Sequence, residues 1–315
     1  MSETQRDTCP ICSKTGRRYS RKRDWRISYC NDCDHYYVTP LPTDADLAKA
    51  YSSQQGYGKG RETDLSLTSA RSGKKLDALL TPLVGGNRSL LDVGCGDGRL
   101  IYNMRRLGWT VAGTDYSDAY VETAKAHGLE VHLGDLAQAA FNDRSFGAAI
   151  LGDVVEHLTD PRLLLETVRS HLGVGGVLVI QTPNAGSGFS RLSGAIARVT
   201  GTDWLASEAP LHLNDFTQRS LTRLAYESGF DTLSCKSNGR RTFSYTIGAS
   251  GYLDGLKRRL KQSRKMQKVL MLTSASPFIV PIAVWTAVPF LFGRLSDVMM
   301  GTGDYLTLVA KVRRI

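Results

Sequence analysis

Three glycines at alternate positions follow an acid in Leu90-Leu91-Asp92-Val93-Gly94-Cys95-Gly96-Asp97-Gly98-Arg99-Leu100. Without Cβ atoms, Gly94, Gly96 and Gly98 let the backbone approach a ligand closely, and the helix they lead into offers unpaired N–H groups. Asp92, just ahead of the turn, would repel a diphosphate and suits a cationic or amino-bearing ligand. The spacing is Gly-x-Gly-x-Gly, not the Gly-x-Gly-x-x-Gly that seats a pyrophosphate. Asp115 is positioned to accept bonds from both ribose hydroxyls, and Asp135 and Asp153 close later apolar runs. Two histidines have the chemistry of a general base near neutral pH. These are His157, in Asp153-Val154-Val155-Glu156-His157-Leu158, and His212, in Ala209-Pro210-Leu211-His212-Leu213-Asn214-Asp215-Phe216. The alternative for each acid is a cap or turn residue, and for each histidine a loop tie.

A second kind of chemistry sits at the N-terminus. Four of the six cysteines form Cys9-Pro10-Ile11-Cys12 and Cys30-Asn31-Asp32-Cys33. Each pair presents two thiolates to one tetrahedral Zn²⁺, and four protein ligands leave no open position, so the zinc is expected to be structural. His35 is an alternative ligand. The polar stretch Met1–Thr8 does not resemble a signal peptide, so a reducing, cytoplasmic setting is expected.

The elements that position these groups are legible as alternating apolar strands and amphipathic helices. Strands are expected at Leu90–Val93, Thr110–Thr114, Val131–Leu133, Ala148–Leu151, Val177–Gln181 and Phe230–Lys236, with a terminal one within Gly303–Lys311. Helices are expected at Arg99–Leu107, Tyr120–Ala126, Pro161–Leu172 and Thr217–Gly229, after a short one from Asp44 and another over Ser66–Leu83. Strands alternating with helices predict a doubly wound, Rossmann-like α/β fold with ligands outside the carboxyl ends of the strands. Tyr51 and Tyr57 lie in a Ser/Gln/Gly-rich segment that reads as a lid.

Asp92-x-Gly94-x-Gly96-x-Gly98, Asp115, Gly134-Asp135, Asp153-Val154-Val155-Glu156-His157-Leu158 and Thr182-Pro183-Asn184 resemble a class I S-adenosylmethionine-dependent methyltransferase. The resemblance is to the branch with ubiquinone O-methyltransferases and bacterial sugar methyltransferases. It implies a seven-stranded sheet whose last strand folds back antiparallel beside the sixth. It also implies that Gly94, Gly96 and Gly98 pass under the methionine part of the cofactor, with Asp92 near its amino group. Asp115 would take the ribose hydroxyls and Asp135 the adenine amine, with Asp153 among the cofactor contacts. His212 is the expected base or substrate contact, and His157 is expected to line the pocket.

The chain then divides into a zinc ribbon (1–39), linker and lid helices (40–84), an S-adenosylmethionine-binding α/β domain (85–239), an insertion (240–302) and the last strand (303–315). The net charge of +10 is concentrated in two clusters, seven basic residues over Lys14–Arg26 and seven more over Lys257–Lys268. The second cluster precedes twenty-five uncharged residues, Val269–Gly293, interrupted by Pro277, Pro281 and Pro289. A basic flank beside an apolar segment suits an anionic membrane surface, with a buried helical cap or dimer interface as the alternative, whereas a single crossing would strand the last strand on the far side. The expected function is therefore O-methylation of a sugar, glycan or lipid-linked saccharide, cytoplasmic or peripheral on the inner face of the membrane. Two rivals are an RNA base methyltransferase and a non-catalytic zinc-ribbon binding module. The basic clusters lack interleaved aromatics for stacking bases, which counts against the first.

Overall fold

The computed structural model describes residues 8–52, 70–139, 141, 144–238 and 303–314. The second basic cluster, the uncharged segment after it and Tyr57 of the expected lid lie outside the described residues. Among the described residues, no helix is long and apolar enough to cross a membrane.

A central sheet of seven strands carries the fold. The first strand, β4 (Ser89–Val93), has β5 (Thr110–Asp115) and β6 (Val131–Leu133) on one side and β7 (Phe146–Gly152) and β8 (Leu172–Pro183) on the other, all parallel. Next to β8 lies β11 (Tyr305–Val312), antiparallel, and beyond it β10 (Phe230–Asn238). The last strand thus slots between the fifth and sixth of this sheet, as the resemblance implied. Chain direction around the sheet reverses between β4 and β7. At that switch point the carboxyl ends of two neighbouring strands diverge and leave a crevice for a ligand.

Alternation along β4 sends Leu91 and Val93 to one face and Leu90 to the other. Leu90 packs with Leu76 and Leu80 of α2 (Ala70–Leu80), Ile101 and Met104 of α3 (Arg99–Arg106), and Val121 and Ala124 of α4 (Asp118–Ala126). Leu91 and Val93 pack with Leu165 and Val168 of α5 (Pro161–Ser170) and Leu221 and Leu224 of α7 (Gln218–Glu227). Helices on both faces keep the parallel strands dry, which is why these strands read as continuous apolar runs.

The N-terminal ribbon is woven into this body. Its strands β1 (Arg17–Lys22), β2 (Trp25–Cys30) and β3 (His35–Thr39) form an antiparallel sheet, and α1 (Asp44–Ser52) follows them. A fourth strand, β9 (Asn214–Asp215), comes from the connection after β8 and pairs with Tyr36 and Tyr37. The same connection contains α6 (Gly188–Thr200), whose buried stripe is Gly188, Ser190, Ser193, Gly194 and Ala197. Small residues let the ribbon close on the helix. A Cβ at Gly194 would lie 2.4 Å from Tyr19 Oη. Trp204 fills the joint with its ring against Tyr19 and Tyr36, and its indole donates to Ser190 O at 2.9 Å. Trp204→Ala is expected to destabilise the protein by about 3–5 kcal/mol in urea unfolding, the cost of emptying a fully buried aromatic site.

Candidate functional site

The glycine turn is pinned from below, since Gly94 N and Cys95 N both donate to Thr114 O of β5, at 2.8 and 3.0 Å. All three glycines have positive φ, 74°, 57° and 77°, a region costly for L side chains. Space separates their duties. A Cβ on Gly94 would lie 2.5 Å from Val154 Cγ2, and one on Gly98 2.5 Å from Leu129 Cδ1, whereas one on Gly96 would meet nothing within 4 Å. The outer glycines therefore serve packing, and the middle one faces the open crevice. Asp115 braces that middle residue. Its carboxylate accepts from Gly96 N at 2.7 Å and from Ser117 N at 2.9 Å, which leaves further lone pairs for hydroxyl donors.

Asp92 is only 4% exposed. Burial, together with the neighbouring Asp115 charge, pushes its carboxyl up to about 8. Such a carboxyl stays protonated until a cation offsets its charge, and an ammonium group entering the crevice would supply one. This donor set fits the amino-acid end of S-adenosylmethionine. Asp135 is exposed beyond the end of β6; partial burial and then the Asp135 charge raise the nearby phenol of Tyr116, a residue 73% exposed next to Asp115.

Across the switch point, the loop after β7 carries the second half. Asp153 adopts φ 59° and accepts the hydroxyl of Tyr305 from β11. Glu156 is buried and accepts from Thr182 Oγ1 at 2.9 Å. His157 Nδ1 lies 2.9 Å from the Leu211 carbonyl; because a carbonyl only accepts, Nδ1 carries the proton and Nε2 is the basic nitrogen. His212, 6% exposed, meets His157 edge to face with ring centroids 4.8 Å apart, and its Nε2 stands 3.6 Å from Glu208 Oε2. Ligand atoms of Glu156, His157 and His212 all lie within 4.8 Å of one another, so this trio has the makings of a cation site.

At the ribbon tip, one sulfur each from Cys9, Cys12, Cys30 and Cys33 lie within 4.8 Å of one another, and none of the four is in a disulfide. Cys12 and Cys30 sulfurs are 3.6 Å apart, close to the edge of a tetrahedron with Zn–S bonds of about 2.3 Å. Burial pushes the Cys9 thiol up to about 12 and also raises Cys33, and the charges of the neighbouring cysteines add to both. A dication would reverse that balance, so the donor set fits zinc. The main body grips both knuckles. Arg162 of α5 donates to Ile11 O at 2.6 Å, and Arg219 and Arg223 of α7 donate to Asp32 O at 3.0 and 3.2 Å.

The structure thus gathers Asp92, Gly94, Gly96, Gly98, Asp115, Asp135, Asp153, His157 and His212 along one edge of the central sheet and its connections. The four cysteines form a separate centre. His35 is buried facing Asn214, 3.4 Å from its Oδ1, apart from the cysteine quartet. Sequence reasoning passed over Tyr116, Thr182 and Asn214 as individual contributors. The Asn-Asp pair two residues after His212 was the available signal for the last, and exposed Tyr116 next to Asp115 for the first.

Fold and crevice define a Rossmann-like α/β protein built to bind a ligand over its glycine turn. The chain belongs to the methyltransferase-domain family, whose profile matches residues 65–234. A ubiquinone biosynthesis O-methyltransferase of Dinoroseobacter shibae is 30% identical over 158 residues, 47% of this chain and 61% of that one. One from Cereibacter sphaeroides is 32% identical over 169 residues, 50% of this chain and 66% of that one. The chain thus spans less than two thirds of the length of these curated relatives. Among solved structures, the [4+2]-cyclase SpnF superposes with a TM-score of 0.52 at 17% identity, covering 87% of this chain and 98% of that one. That likeness is one of fold, and the reaction must be argued from the site.

Proposed function

We propose that this protein is an S-adenosylmethionine-dependent O-methyltransferase acting on a small-molecule hydroxyl, on a sugar or lipid-linked saccharide. The observation that carries the reading is the buried Asp92 carboxyl beneath a glycine turn whose middle residue faces open space and is held by Asp115. Curated relatives named as ubiquinone biosynthesis O-methyltransferases support oxygen as the acceptor atom.

S-adenosylmethionine, when bound, supplies a methyl group on an electrophilic sulfonium. The protein's own work is alignment and proton removal. Asp92 takes the amino group, Asp115 the ribose hydroxyls, and Asp135 with Tyr116 the base. Asp153, fixed by Tyr305, walls the crevice on the β7 side. His212 takes the acceptor proton, with the Glu208 carboxylate facing its Nε2 in the arrangement that steadies an imidazole as it is protonated. His157 holds the Leu211 carbonyl and packs against His212, lining the pocket. The cysteine quartet holds a structural Zn²⁺. The membrane part of this reading rests on the sequence alone, since the basic and uncharged stretches of residues 257–293 suit the inner face of an anionic membrane; sedimentation with anionic vesicles checks it, and no binding by the intact chain removes it.

His212→Ala is expected to cut turnover about a hundredfold while cofactor affinity by calorimetry changes less than about threefold. Unchanged turnover would remove His212 from the role of base. The overall reading is tested by incubating the protein with methyl-labelled cofactor and cell extract, then separating lipid, glycan and RNA fractions. Label in the lipid or glycan fraction supports it. Label in RNA favours a base methyltransferase, and failure to bind the cofactor favours a binding module.

A further inference from the structure

Asn214 sits where three parts of the molecule meet. Its backbone pairs with Tyr37 in the ribbon sheet. Its amide Nδ2 donates to Leu158 O at 2.7 Å and lies 3.4 Å from Val155 O, bracketing the turn that carries Glu156 and His157. With the amino group committed to two carbonyls, the oxygen faces His35 Nε2 at 3.4 Å, so that ring nitrogen carries the proton. His35 pairs across the ribbon with the metal-site residue Cys30. One residue before Asn214, Leu213 ties the same parts by backbone alone. Its N–H donates to Glu156 O at 2.8 Å and its carbonyl accepts from Val38 N at 3.0 Å.

These bonds form a continuous route from the cysteine knuckle through His35 and Asn214 to the loop of Glu156 and His157. The route bypasses the glycine turn. We propose that Asn214 is a positioning residue that makes the ribbon the scaffold of the acceptor half of the site, while the cofactor half is held by the central sheet. The inference rests on the proposed assignment of Glu156, His157 and His212 to the acceptor side. An amide suits the post better than a carboxylate, because Asn214 is fully buried and must donate on one side while accepting on the other.

The variants Asn214→Asp and His35→Gln separate the two halves of the link. Asn214→Asp keeps the acceptor for His35 and removes the donor to the loop; His35→Gln keeps a donor toward Asn214. Hydrogen exchange of the full chain, read by mass spectrometry with zinc content measured in each sample, compares peptides over 153–158 with those over 94–98. In Asn214→Asp the loop peptide is expected to exchange about fivefold faster or more at unchanged zinc content, while the glycine-turn peptide and S-adenosylmethionine affinity stay as in the parent. His35→Gln is expected to keep most of the parental protection. Unchanged exchange over 153–158 in Asn214→Asp overturns the proposal, as does equal acceleration of both peptides, which marks general destabilisation. Absence of cofactor binding in the parent overturns the functional reading instead and leaves the exchange result to stand on its own.

Discussion

Asp92→Asn is expected to weaken S-adenosylmethionine binding about a thousandfold and, at pH 8, to raise the melting temperature of the unliganded protein. Both effects come from one buried group. Breaking a buried charge pair by removing one member costs about 3–5 kcal/mol, which converts to two to three and a half decades in affinity. The sign of the stability effect follows from linkage. The carboxyl is raised from 3.8 to about 8 in the folded chain, so between those values the native state holds a proton that the unfolded state has lost. Stability contributed by this site is therefore lost as pH rises through that window, and the neutral amide removes the loss. Binding has the opposite slope. Below about pH 8 the ammonium must draw Asp92 into its charged form, so a proton is released and affinity rises from pH 6 to 8. Calorimetry in buffers of different ionisation enthalpy measures that release. Equal affinity in the variant, or a binding heat independent of buffer, would place the ammonium elsewhere.

How much of this was readable beforehand depends on the range of the interactions. Strands β4 to β7 are set by local apolar runs ending at glycine or acid, and their predicted bounds differ from the observed ones by two residues at most. The terminal strand was legible because Tyr305-Leu306-Thr307-Leu308-Val309 alternates toward two buried faces. By contrast, the helix expected over Pro161–Leu172 ends at Ser170, and β8 runs back to Leu172, five residues before the apolar core of the strand. Helix α6 was missed because its buried stripe is Gly, Ser and Ala. Such a stripe has no hydrophobic period; it reports the closeness of Tyr19 and Trp204, which lie on other segments. Strand β9 has two residues and exists only because β3 offers an edge. In the site, the acids were legible from their places after strands. The contact between His157 and His212, and the bond from Tyr305 to Asp153, span long stretches of sequence and have no local signature.

That ribbon edge gives the second large effect. With the proposed zinc in the cysteine quartet, chelation is expected to unfold the ribbon and lower the melting temperature by about 10 °C or more, while the seven-stranded sheet keeps its cofactor cradle. The ribbon is three short strands and a two-residue fourth that lean on α6 and Trp204, and structural zinc sites contribute about 10–16 kcal/mol of apparent binding free energy to folding. The loss does not stop at the tip. Cys9, Ile11, Cys30 and Cys33 share one buried cluster with Phe216, Leu221 and Leu224, so metal loss also loosens the packing beneath α7. The anchors of Arg162, Arg219 and Arg223 to knuckle carbonyls go with it. By contrast, the glycine turn rests on Thr114 and Asp115 of β5, and none of these bonds passes through the ribbon. Scanning calorimetry after chelation should therefore show a low-temperature ribbon transition ahead of the main one. Titration with S-adenosylmethionine should still raise the main transition. Cys33→Ala should reproduce both results without chelator. A single transition at the parental temperature in the chelated sample would mean that packing alone holds the ribbon. The quartet would then be a passenger in the fold, and its geometry would have to be explained by redox chemistry instead of metal.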